Sequence, residues 1–133
     1  MSQRKLFGTD GVRGRANIDL TPELVCDLAR AAGESTEGPV LIGRDTRRSG
    51  PMLSAALQSG FNAVGVDTVD LGILPVGAVS RLVRDTKAAY GVMVSASHNP
   101  AGDNGVKFFA PDGVKLTDKA ESLIESRFHR GAP

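Results

Sequence analysis

A chain of 133 residues, 41% hydrophobic and 23% charged, is long enough to close one hydrophobic core and reads as a single globular domain over 1–133. Sixteen Lys and Arg against fifteen Asp and Glu leave a net charge of +1, which excludes a bulk field for nucleic acid or an anionic membrane, so any basic site is local. The one cysteine, Cys26, excludes an internal disulfide, no apolar run approaches the ~20 residues of a membrane span, and the opening MSQRKLFGTDG lacks the apolar core of a secretory signal. Together these predict a soluble cytoplasmic protein.

In chain order, Thr21 is a good N-cap and Pro22 suits the first helical position. Leu24, Leu28 and Ala31 or Ala32 then recur at helical spacing, predicting a helix that ends near Gly33, with Cys26 as a packing residue. PVLIG at 39–43 predicts a short buried strand. Ser49 begins a second helix that carries Leu53, Ala56, Leu57, Gly60 and Val64 on one face, and VDTVDL at 66–71 is the next strand. Pro75 opens a third helix through Val79, Leu82 and Val83, followed by a strand in YGVMVSA at 90–96. After a polar loop, GVKFFA at 105–110 is a strand and PDG a turn. Thr117 caps a last helix with Ala120, Leu123, Ile124 and Phe128. The alternation predicts a three-layer α/β/α sandwich with a mixed, mostly parallel sheet of about four strands, the last turned antiparallel by a hairpin.

Ligands in such sheets sit at loops leaving the carboxyl ends of strands. Three polar loops qualify: GTDGVRGRAN near the N-terminus, GRDTRRSG after the first strand and SASHNPAGDNG after the third. The first two combine glycines with arginines, whose forked donors match phosphate oxygens; taken alone, such a loop is more often a solvated surface turn than a phosphate site. The third brings two hydroxyls, an imidazole and a following lysine, groups able to carry a phosphoryl group and move a proton, or else a plain turn with Asn104-Gly105 setting the hairpin.

Several other chemistries fall away. Cys26, His98 and His129 are too few for a Cys/His metal site. The nucleophile elbow, the P-loop and the dinucleotide fingerprint are all missing, and Ser97 and His98, as chain neighbours, do not suit a hydrolase triad. Asp67 and Asp70 read as ordinary strand residues, without the companion lysine loop of an aspartyl-phosphate enzyme.

The stretches FGTDGVRG at 7–14, GRDTRRSG at 43–50, SASHNP at 95–100 and DNGVKFF at 103–109 run in order along essentially the whole chain. In that order they resemble the first domain of the α-D-phosphohexomutase family, nearest to its bacterial phosphoglucosamine mutase branch. The resemblance implies a phosphoserine enzyme. The serine before His-Asn-Pro falls on Ser97 as the phosphorylated nucleophile, with Ser95 in support, although the residues alone do not separate the two. A phosphoserine carries about −1.5 to −2 charges and needs cations and donors around it. Arg13, Arg44, Arg47, His98 and Lys107 are the local candidates, with Asn99 beside them. Either Lys107 or His98 would move the proton, and Arg13 would hold phosphoryl oxygens.

The resemblance further implies magnesium bound through the phosphoryl group of Ser97, a sugar 1,6-bisphosphate as activator, and reversible exchange of glucosamine 6-phosphate and glucosamine 1-phosphate. The family's Asp-x-Asp-x-Asp metal loop, sugar-reading loop and C-terminal phosphate loop are not in this sequence. The expectation is therefore a first domain whose partners are a hexosamine phosphate and the remaining domains of a longer enzyme, inactive alone, with no nucleic-acid or membrane partner. Val76 and Gly77 stand where the family typically reads Thr-Pro. Phosphomannomutase or phosphoglucomutase activity, a phosphosugar-binding module that never phosphorylates Ser97, and a structural assembly domain are the alternatives.

Overall fold

The computed structural model describes residues 5–34 and 36–131. In chain order the elements are β1 (Val12–Arg15), α1 (Pro22–Gly33), β2 (Val40–Arg44), α2 (Gly50–Ala63), β3 (Thr68–Ile73), α3 (Val76–Thr86), β4 (Tyr90–Val94), β5 (Asp103–Phe109) and α4 (Asp118–Arg130). The sheet has five strands in the order β1-β5-β4-β2-β3. Strand β2 runs parallel to both β3 and β4, whereas β5 is antiparallel to β4 and β1 is antiparallel to β5. The predicted α/β sandwich with a mixed, mostly parallel sheet is what forms.

Two of the four helix starts follow from side-chain caps. Thr21 Oγ1 accepts from Leu24 N at 3.1 Å, with Pro22 in the first turn, and Thr117 Oγ1 accepts from Ala120 N at 3.2 Å, each filling one of the donors a helix start leaves open. Helix α3 begins at Val76 after Pro75, whose carbonyl accepts from Ala78 N and Val79 N, so Val76-Gly77 does not displace its start. Ser49 is the N-cap of α2 by position but makes no capping bond; its hydroxyl is taken by Asn104 Nδ2 at 2.8 Å.

Five strands instead of about four is the main departure. The stretch read as a purely polar N-terminal loop contains β1, whose Val12, Arg13, Gly14 and Arg15 pair with Val106, Gly105, Asn104 and Asp103. VRGR has neither alternation nor a β-branched run, so its extended state comes from the edge of β5 and not from local propensity. Asn104 and Gly105 lie inside β5, so the connection after β4 is not a two-residue Asn-Gly turn. Leu82 and Leu123, expected on buried faces, are exposed. Cys26 is partly buried against the core.

The two faces of the sheet are covered unequally. On one, Val40 and Ile42 of β2, Val92 and Val94 of β4, and Val106 and Phe108 of β5 meet Val25, Leu28 and Ala29 of α1, Leu53, Leu57 and Phe61 of α2, and Ile124 of α4. On the other, α3 is the only helix among the described residues; Val79 and Val83 pack on Leu41, Met93 and Phe109. It sits close because β4 has a glycine there: a Cβ on Gly91 would come within 2.2 Å of Val83 Cγ2. Helix α3 lies over β2, β4 and the Phe109 end of β5, which leaves room for polar side chains at Lys107 and on β1. No helix among the described residues is long and apolar enough to cross a membrane.

Candidate functional site

An open cleft of about 330 Å³ lies on the α3 side of the sheet, at the carboxyl ends of β2 and β4. Its lining includes Asp10, Arg13, Asp45, Ser95, Ser97 and Lys107, closed on one side by Leu74, Pro75 and Val76 at the start of α3. This is the crevice where open α/β sheets place ligands. The strand period explains which side chains reach it. In β5, Val106 and Phe108 turn into the core, so Gly105 and Lys107 face the cleft side, and Arg13 of β1 pairs with Gly105 on that side.

Ser97 is exposed at the head of the loop between β4 and β5 and has φ of 54°, the left-handed region. For an L-residue that conformation costs about 1–2 kcal/mol, so the surroundings must impose it. They do so from both sides of the residue. Ser97 N donates to Ser95 Oγ at 3.1 Å, and Ser97 O accepts from Arg47 Nη2 at 2.8 Å. The same guanidinium donates to Asn99 O at 2.9 Å, Pro100 O at 2.7 Å and Asp103 O at 3.1 Å. One arginine thus gathers four carbonyls of a loop that would otherwise be held by a few turn bonds.

Sequence alone left Ser95 and Ser97 as equals; their hydroxyls are not equivalent here. Ser95 Oγ donates to Asp45 Oδ2 at 2.6 Å while accepting from Ser97 N, so both its proton and a lone pair are committed. Ser97 Oγ makes no hydrogen bond among the described residues and faces the cleft.

The cations sort in the same way. Arg13 and Lys107 line the cleft, and neither has a carboxylate within ion-pair distance among the described residues. Arg13 Nε is buried without a hydrogen-bond partner, a polar group left waiting for an acceptor. Its stem lies across Gly105, where a Cβ would meet Arg13 Cγ at 2.9 Å and Ser95 O at 2.7 Å; only glycine leaves that space. Lys107 Nζ sits 5.6 Å from the centre of the Phe109 ring.

The remaining predicted residues lie apart from the cleft lining. Arg44 is drawn to the β3 side by Asp70, with Nη1 to Oδ1 at 3.2 Å. Arg47 spends its terminal donors on loop carbonyls, as above. His98 is exposed and outside the lining, and Asn99 turns back on its own loop, with Nδ2 3.4 Å from Asp103 Oδ2.

Two site residues went unread in the sequence. Asp45 accepts from Arg47 N at 3.0 Å and from Ser95, and its carboxylate is 3.4 Å from Arg47 Nε. An Asp two residues before the residue whose amide it accepts is an Asx turn, the one local signal that singles it out. Asn104 is fully buried, its Oδ1 accepting from Gly105 N at 2.9 Å and its Nδ2 donating to Ser49, so it ties β5 to the start of α2.

The magnesium implied by the family resemblance can be tested against these groups. No cluster of three His, Cys, Asp or Glu among the described residues is placed to hold a metal ion. Of the two cleft carboxylates, Asp45 is already engaged. The residues present do not make a metal site on their own.

The chain matches the model of the phosphoglucomutase/phosphomannomutase α/β/α domain I over residues 4–133. It is similar to proteins named phosphoglucosamine mutase from Streptococcus equi subsp. zooepidemicus, 56% identical, and from Symbiobacterium thermophilum, 54% identical. Each match covers 92% of this chain but only 28% and 29% of the relative. A crystal structure from Thermus thermophilus, described as a candidate phosphomannomutase, superposes with a TM-score of 0.89 at 34% identity, covering 100% of this chain and 32% of that one. The chain therefore spans less than a third of the length of these relatives.

Proposed function

The chain belongs to the phosphoglucomutase/phosphomannomutase family as its α/β/α domain I, and on that premise we propose that it is the phosphoryl-carrying domain of a phosphosugar mutase, with Ser97 as the residue that takes up and returns the phosphoryl group. The observation that carries this reading is the company Ser97 keeps: a left-handed residue whose hydroxyl is unengaged among the described residues, in a cleft with two cations that have no carboxylate partner among those residues.

In the proposed reaction Ser97 Oγ loses its proton and bonds to phosphorus of a sugar bisphosphate while the bond from that phosphorus to the sugar oxygen breaks. The sugar oxygen takes up a proton. In the opposite step phospho-Ser97 gives its phosphoryl group to the free hydroxyl of a sugar monophosphate, which loses its proton as the bond from phosphorus to Ser97 Oγ breaks. The bisphosphate so formed turns over before its other phosphoryl group returns to Ser97. Arg13 supplies forked donors to the phosphoryl oxygens, which would satisfy its orphaned Nε region, and Lys107 neutralises charge and passes the proton. Lys107 is favoured over His98 for that role because it lines the cleft and His98 does not. The uncapped start of α3 adds a positive end to the same cleft. Ser95, Arg47 and Asn99 hold the loop, and Arg44 braces β2 against β3; in this reading none of the four binds phosphate directly.

The names of the curated relatives support glucosamine 6-phosphate and glucosamine 1-phosphate as the pair interconverted. The Thermus relative keeps a mannose phosphate as the second reading. In either case the sugar-reading loop and the remaining metal ligands belong to other domains of a longer enzyme, to which a phosphoryl group on Ser97 would add one ligand. A cytoplasmic setting is part of the proposal. The test is a mutase assay of the full-length natural protein with glucosamine 6-phosphate and mannose 6-phosphate, started with a trace of the matching 1,6-bisphosphate. Faster turnover of the amino sugar supports the reading; turnover of neither sugar overturns it.

A further inference from the structure

We infer that Asp45 is a positioning residue for Ser97, acting through the Ser95 hydroxyl and the Arg47 guanidinium; the inference rests on the proposed role of Ser97. Three observations carry it. The two oxygens of Asp45 divide their work: Oδ1 takes the Arg47 amide at 3.0 Å, and Oδ2 takes the Ser95 hydroxyl at 2.6 Å while standing 3.4 Å from Arg47 Nε. Ser95 and Arg47 are in turn the two groups that grip Ser97, one at its amide and the other at its carbonyl. Finally, Asp45 is itself fixed at the end of β2, where its amide donates to Val94 O at 3.1 Å, so the grip is referred to the parallel centre of the sheet.

The direction of the Ser95 bond gives the arrangement chemical content. Because the carboxylate accepts the Ser95 proton, a Ser95 lone pair is turned to the Ser97 amide, and that amide is drawn into the left-handed conformation that presents Oγ to the cleft. Asp45 also keeps the Arg47 side chain beneath the loop by pairing its Nε side, leaving the terminal N–H groups for the four carbonyls. Loss of the carboxylate releases both ends of the grip together. A nucleophile displaced by about 1 Å loses on the order of 10²-fold in rate. The same displacement leaves the remote face, where most of the core lies, intact.

Two readouts on the full-length natural protein test this. The first is hydrogen exchange at the Ser97 amide, which does not depend on activity. The second is the rate of phosphoryl uptake from glucose 1,6-bisphosphate with magnesium, followed by intact mass. The inference expects Asp45→Asn and Ser95→Ala to lose amide protection and load roughly 10²-fold more slowly. Apparent affinity for the bisphosphate and the melting temperature should stay near those of the wild type, and Ser95→Thr, which keeps the hydroxyl, should restore both readouts. Variants that keep Ser97 amide protection, or that lose it and still load at the wild-type rate, overturn the inference. A wild-type protein that never loads sinks the role of Ser97 instead, and amide protection alone then decides whether Asp45 fixes that residue.

Discussion

The two faces of the sheet are made by the same strands and obey opposite rules. Along β5, Val106 and Phe108 enter a closed apolar core, whereas on the opposite side Lys107 opens onto the cleft and Gly105 lies under the Arg13 stem. On the first face Val25 and Leu28 of α1 and Leu53, Leu57 and Phe61 of α2 are fully buried. On the second, α3 packs on the Phe109 end of β5 and leaves room beside it for Arg13 and Lys107, and the buried Nε of Arg13 has no acceptor among the described residues. The contrast teaches where free energy is held: the three-helix face carries most of the apolar core, and the one-helix face keeps charged groups that a ligand can satisfy.

Substitutions should therefore separate cleanly by face. The largest effect is expected for Ser97→Ala, which removes the phosphoryl acceptor: mutase activity of the full-length protein should fall by several orders of magnitude with the melting curve unchanged. Ser97→Gly should be equally inactive yet up to about 1 kcal/mol more stable, since glycine adopts positive φ freely. Lys107→Met should slow single-turnover phosphoryl transfer by ~10²–10⁴-fold while the protein still loads, because the charge and proton path are lost and the side-chain volume is kept. Its melting temperature should hardly move; a large drop would break the separation of faces.

Leu57→Ala, on the other face, should cost ~2–5 kcal/mol in denaturant unfolding, and its folded fraction should transfer phosphate at the wild-type rate. Arg13→Lys keeps charge but loses the fork, and a rate loss of roughly 10-fold or more with normal stability is expected, following the strength of bidentate over single contacts. The smallest effect concerns Glu34, at the C-terminal cap of α1, whose carboxyl is held below its ordinary range by the hydrogen bond from Arg130, with Arg127 adding to it. A depressed folded value stabilises above the unfolded value and loses that contribution as pH falls through the folded one. Glu34→Gln should thus lower the melting temperature slightly at neutral pH, and the gap from wild type should close in acid.

What the sequence made legible follows the same division. Helices α1 and α4 announce themselves by Thr21, Pro22 and Thr117, and the buried strands by unbroken apolar runs, because these signals are local. Strand β1 was not legible: Val12–Arg15 is extended only because β5 offers an edge. In the cleft, SASHNP marked the loop, but the difference between Ser95 and Ser97 depends on Asp45, 50 residues before Ser95. Arg47 read as a phosphate ligand by composition, and the fold turns its donors onto carbonyls 50 to 56 residues away. Partner choice across such separations is set by topology, which no window of sequence contains.

The central claim, that Ser97 carries the phosphoryl group, is tested most directly by locating phosphate on the protein. The full-length natural protein is incubated with glucose 1,6-bisphosphate and magnesium, its intact mass is measured, and the modified residue is mapped by fragmentation. The account predicts a single phosphoryl increment on Ser97, absent from Ser97→Ala and present in Ser95→Thr. Phosphate mapped to Ser95, or a Ser97→Ala protein that still takes up one phosphoryl group, would contradict it.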